Sequence, residues 1–152
     1  MFAGGGRLRD QLGTYFYSMD AKNRLAVPVK FRLFFNSQRD LILSQGLEGC
    51  LNLYSLSAWS KLDKKLESMP LRNKIEQRAL KRLLFSSASE VQLDEEGRIL
   101  IPQSLVYYAQ LRREVAIIGL GEKAEIWAKH LWEKYQKKQR TTLDRHAAQL
   151  EL

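Results

Sequence analysis

The sequence predicts an α+β fold made of two copies of one unit, and three observations predict it. First, "DAKNRLAVP" (Asp20–Pro28) and "DEEGRILIP" (Asp94–Pro102) share an Asp, a turn-former, an Arg, a β-branched residue and a Pro, 74 positions apart. Second, the elements after each motif repeat as well. "LILS" is answered by "VAIIG", "LNLY" by "AEIW", and Trp59 by Trp132, with the later landmarks 73 apart. The repeat is thus a whole β-turn-β-α-β-β-α unit. Third, 45% of the 152 residues are hydrophobic, with three Trp, six Tyr and six Phe, so the chain can fill a core.

The elements follow in order. Residues 1–11 are Gly-rich and basic, with little to bury, and are expected to be mobile. "TYFYSM" reads as a strand, Asp20 to Arg24 as a turn, and "RLAVP" as the returning strand. Pro28 ends that strand and suits the first turn of a helix, in which Phe31, Phe34 and Phe35 keep a 3/4 spacing. "LILS" and "CLNLY" are strands joined by the hairpin loop "QGLEG". Ser57 is the expected N-cap of a helix with Trp59, Leu62 and Leu66 on one face. Lys61–Phe85 is rich in Lys and Arg, Arg72 among them, and broken at Pro70. Ile75, Ala79 and Leu83, with Leu80 and Leu84, mark an amphipathic helix. The second half repeats strand, turn, strand and short helix over Glu90–Ala109, then two strands and a polar, basic C-terminal helix. The basic helix faces are expected to be solvated, with DNA contact the minor alternative. The chain therefore divides into an extension (1–11), a first repeat (12–60), a basic connector (61–85), a second repeat (86–134) and a helical tail (135–152).

Each turn has a local logic. An Asp carboxylate can accept backbone N–H groups of the turn it opens. The fourth residue needs a left-handed backbone, which Gly97 takes freely and Asn23 tolerates. Arg24 and Arg98 then stand on a constrained loop. Two roles are open to them: pairing with the Asp four residues back, or presenting a guanidinium to phosphate or a guanine edge. Lys22 adds charge to the first turn, whereas Glu95 and Glu96 make the second less positive.

The net charge of +8 favours a polyanionic partner. One cysteine, Cys50, forms no intrachain disulfide and reads as a small core residue. No apolar run reaches the length of a membrane span, and no signal peptide is seen, so a cytoplasmic protein is expected. His130, His146 and Cys50 have no metal-ligand spacing, and no catalytic constellation is present. Neither an enzyme nor a cofactor is expected. "GLGEKA" (Gly119–Ala124) mimics a dinucleotide loop, but a strand follows it where a helix is needed.

"LGTYFYSMDAKNRLAVPVKFR" (Leu12–Arg32) and "SSASEVQLDEEGRILIPQSL" (Ser86–Leu105) resemble the paired signatures of the bacterial MraZ proteins. The resemblance covers roughly residues 12–145. It implies a swapped-hairpin barrel similar to that of AbrB, with the two halves of one chain interleaving. It further implies a transcriptional regulator of the division and cell-wall gene cluster, nucleoid-associated, binding short upstream direct repeats of double-stranded DNA as a closed homo-oligomeric ring. The DNA-facing positions carried over are Lys22, Asn23 and Arg24 in the first turn and Gly97 and Arg98 in the second. Arg32 also matches the signature, with a structural role open. Asn23 stands where the family usually has Gly. Residues 1–11 precede the family's usual start; they are a basic arm or reflect a start assigned too early, the second being preferred. The competing expectation is an oligomeric protein-interaction module. RNA binding is disfavoured because the aromatics alternate as core residues.

Overall fold

Neither motif strand pairs with the strand before it. In the computed structural model, which describes residues 12–35, 39–70 and 74–151, each half of the chain completes its sheet with the other half. Strand β1 (Leu12–Ser18) runs antiparallel to β7 (Glu114–Leu120), from Leu12↔Leu120 to Ser18↔Glu114. Strand β5 (Ser89–Gln92) pairs with β3 (Asp40–Gln45) in the matching way. Among the described residues, strands β2 (Arg24–Ala26) and β6 (Arg98–Leu100) pair only with each other. "RLAVP" is therefore not the returning arm of a local hairpin, and the interleaving of halves is present. The expected extension (1–11), Arg72 and the Phe34 side chain lie outside the described residues.

With β4 (Leu51–Ser55) and β8 (Ala124–Ala128), the larger sheet has the order β1-β7-β8-β4-β3-β5. Exchanging the two halves leaves this order unchanged, so a pseudo-two-fold axis passes between β8 and β4. It also passes through the register pair Leu25↔Ile99 of the small ribbon. Among the described residues the sheet is not a closed barrel. It is open, and β2 and β6 form a separate two-stranded sheet. Each of those strands has three residues and is followed, after one further residue, by a proline that cannot donate to a ladder. Leu25 and Ile99 are both fully buried and join Leu41, Leu43, Leu51, Ile117 and Ile126 in one core.

Among the described residues five α-helices accompany these sheets: α1 (Val29–Phe34), α2 (Leu56–Glu67), α3 (Lys74–Ser87), α4 (Gln103–Tyr108) and α5 (Lys129–His146). Ser55, not Ser57, caps α2: its hydroxyl accepts the Ala58 N–H at 3.1 Å, while Ser57 only reaches the Ser55 hydroxyl. In α3 the face turned inward carries Leu80, Leu84 and Phe85, whereas Ile75, Ala79 and Leu83 are exposed. The Trp landmarks of the repeat do equivalent work. Trp59 meets Tyr54 edge-on at 5.4 Å, and Trp132 meets Trp127 at 5.3 Å. Cys50 is buried with its thiol donating to the Leu47 carbonyl, and burial pushes that thiol up to about 12. "GLGEKA" is the β7–β8 hairpin turn, closed by Leu120 N–H donating to the Lys123 carbonyl. Among the described residues no helix is long and apolar enough to cross a membrane, and no cluster of three or more His, Cys, Asp or Glu is placed to hold a metal ion.

Candidate nucleic-acid interface

The two motif turns fold by the same hydrogen bonds. Asp20 Oδ1 accepts the N–H groups of Lys22 and Arg24, each at 2.9 Å, and Oδ2 accepts Arg24 Nε at 2.7 Å. Asp94 Oδ1 accepts the N–H groups of Glu96 and Arg98, each at 2.9 Å, and Oδ2 accepts Arg98 Nε at 2.9 Å. Asn23 (φ 62°) and Gly97 (φ 77°) both take the left-handed conformation expected of them.

The turns also lock one half to the other. Val27 N–H donates to the Gly97 carbonyl and Ile101 N–H to the Asn23 carbonyl, both at 2.9 Å. Asn23 Nδ2 donates to Gln103 Oε1 on α4, and the Arg32 guanidinium of α1 packs where a side chain on Gly97 would stand. Arg32 thus takes a packing role against the opposite turn. Gln103 is a partner that the nine-residue motif gave no sign of, because its contact crosses 80 positions.

In the β2–β6 ribbon Arg24 faces Leu100 and Ala26 faces Arg98. Residues opposite one another in a ladder share a face, and that face alternates along the strand. Leu25 and Ile99 fill the core face, so Arg24 and Arg98 both project from the outer one. Each guanidinium is held at Nε by its carboxylate and stays partly exposed, at 36% for Arg24 and 26% for Arg98. The arginines therefore staple their turns and remain available to a ligand at Nη. The second is more restrained, since its Nη2 also lies 3.6 Å from Glu96.

Electrostatics follow the geometry. Hydrogen bonding from the Arg24 main-chain N–H, helped by its guanidinium, holds the Asp20 carboxyl below its usual range, and Arg98 does the same for Asp94. The Asp94 carboxylate in turn raises the Arg98 guanidinium, with Glu96 and Asp20 adding to it. A carboxyl lowered on folding stabilises the fold above its unfolded value and loses that contribution as pH falls through the folded one. Resistance to urea is therefore expected to drop as pH falls through and below the usual carboxylate range. The Asp20→Asn/Asp94→Asn variant is expected to show a shallower drop. Parallel curves for parent and variant would refute the assignment.

Comparison with known proteins bears on this double turn. The family described as "MraZ protein, putative antitoxin-like" matches residues 11–83 and again 84–152. The chain belongs to the MraZ family. A relative from Acetivibrio thermocellus is 46% identical over 123 residues, covering 81% of this chain and 84% of its own. One from Clostridium acetobutylicum is 43% identical over 124 residues, covering 82% and 85%. One from Halothermothrix orenii is 39% identical over 140 residues, covering 92% and 96%. Each is named "Transcriptional regulator MraZ". MraZ membership supports a role in transcription regulation, and the MraZ relatives are named as regulators, not as enzymes.

Proposed function

We propose that this chain is a sequence-specific DNA-binding regulator that meets double-stranded DNA with the outer face of the β2–β6 ribbon and its two turns. Lys22, Asn23 and Arg24 supply the first turn, Gly97 and Arg98 the second. The observation that carries this reading is the placing of Arg24 and Arg98 on one face, each aimed by a carboxylate at Nε. A fixed guanidinium loses less freedom on binding phosphate or a guanine edge than a tethered one. Lys22 is exposed beside it and adds a point charge.

One ribbon offers few contacts, and so small a patch binds weakly at physiological salt. Assembly of several copies into a closed ring, engaging direct repeats upstream of the division and cell-wall cluster, raises the effective concentration of each further ribbon. The exposed Ile75 and Leu83 on α3 are apolar surface suited to such self-association. On this reading the protein works in the cytoplasm, on the nucleoid.

Titration of full-length protein against upstream DNA tests the proposal. DNA with several boxes is expected to bind more tightly than DNA with one, and equal affinity counts against the ring. Arg24→Ala and Lys22→Ala are each expected to weaken binding about tenfold. Lys22→Ala is the cleaner variant, because its side chain makes no ion pair with the described residues. Parent-like binding by Lys22→Ala, Arg24→Ala and Arg98→Ala alike would remove the turns from the interface.

A further inference from the structure

The two turns are alike in backbone and unlike in charge, and a second duplicated arginine sharpens the difference. Met19, just before the first turn, donates its N–H to the Arg113 carbonyl at 2.7 Å. Leu93, just before the second, donates to the Arg39 carbonyl at 2.9 Å. Arg39 and Arg113 are 74 positions apart, the spacing of the motif itself. Each half therefore sets an arginine beside the other half's turn.

The surroundings then diverge. Arg113 is preceded by Arg112, whereas the residue before Arg39 is Gln38. Arg112 and Arg113 are exposed and make no ion pair with the described residues. They border a cleft of about 390 Å³ with Lys129 and His130, and of its two acids Glu114 is engaged by Lys129 at 3.7 Å. The other acid of the cleft is Glu133. The first turn beside them carries Lys22 and Arg24. The second carries Glu95 and Glu96, the latter drawing on Arg98.

We propose that Arg112 and Arg113, delivered by the second half, extend the DNA contact of the first half's turn, so that the first turn bears the main phosphate contact and the second is subordinate. This rests on the DNA-binding reading above. The chemistry is that of backbone phosphate: unpaired guanidinium groups on an exposed loop release counterions when they neutralise phosphates, and the salt dependence of binding counts them.

The test measures binding of full-length protein to upstream DNA by fluorescence anisotropy between about 50 and about 200 mM salt. Neither arginine side chain makes a hydrogen bond or ion pair with the described residues, so Arg112→Gln/Arg113→Gln is expected to keep the parent's circular dichroism. Its slope of log affinity against log salt is expected to be shallower by about 1.8, near 0.9 for each lost contact. Arg39→Gln is expected to leave the slope nearly unchanged, and Glu95→Gln/Glu96→Gln to bind as tightly as the parent or more so. A parent-like slope for the double arginine variant, with Arg24→Ala still weakened, overturns this inference and leaves the DNA reading standing. An equal loss from Arg39→Gln overturns the ranking of the turns. A folded parent that does not bind the DNA at all removes both.

Discussion

Leu25→Ala is expected to lower the free energy of unfolding by about 2–5 kcal/mol, and Ile99→Ala by a similar amount. Both side chains are fully buried, and they oppose one another where the pseudo-two-fold axis crosses the ribbon. Truncation there removes apolar burial and leaves a hole between two halves that are hydrogen-bonded to each other on both sides of it. The surrounding strands are tied by Val27 to Gly97 and by Ile101 to Asn23, so the site has little freedom to collapse. The two substitutions share one cavity, and the double variant is expected to lose less than the sum of the singles. Chemical denaturation followed by far-ultraviolet circular dichroism and by Trp fluorescence checks this. Coincident transitions are expected from both probes, because neither half completes its sheet alone. A loss below about 1 kcal/mol for each variant would show that the ribbon does not hold the halves together.

Gly97→Val is expected to cost about 2–3 kcal/mol, from a left-handed backbone that L-residues resist and from displacement of a packed neighbour. Gly97 has φ 77°, and a Cβ there would fall 2.4 Å from Arg32 Nη1 and 2.6 Å from its Cζ. The guanidinium can swing aside, so most of the cost lies in the backbone. Asn23→Gly is the informative contrast. It relieves a φ of 62° but gives up the hydrogen bond to Gln103, and these effects nearly offset one another. Thermal melts of the two variants side by side check the pair. A Gly97→Val protein as stable as its parent would mean that the second turn adopts another conformation.

The sequence made the repeat visible because its markers are local. Asp, a left-handed residue and Arg at fixed spacing serve one tight turn, the Pro four positions on ends the strand that follows, and Asp20 and Asp94 do accept the bonds that spacing implies. Strand partners are a different matter. The alternation in "TYFYS" looks the same whether β1 meets β2 or β7, since period-two patterning fixes a face and not a neighbour. The N-cap of α2 falls at Ser55 and not at the expected Ser57 for a simple reason: they are the same residue two positions apart, and only the backbone decides between them. In α3 two apolar stripes lie at helical spacing. Which of them packs is set by α2 and β3, and sequence period carries no such information. Gln103 and Arg32 carry no local sign of being turn partners because their contacts run across the axis. Arg39 and Arg113 were legible in principle, at the motif's own spacing, but they stand outside the nine residues that announce it.

The pseudo-two-fold axis runs within a single polypeptide, and that changes what evolution can do with it. In an assembly of two identical chains, every substitution arrives twice, and a glutamate introduced at one turn appears at its mate. Here Glu95 and Glu96 stand at one turn while Lys22 stands at the other. Two turns that are free to differ make a clasp with unlike edges, one more acidic than the other.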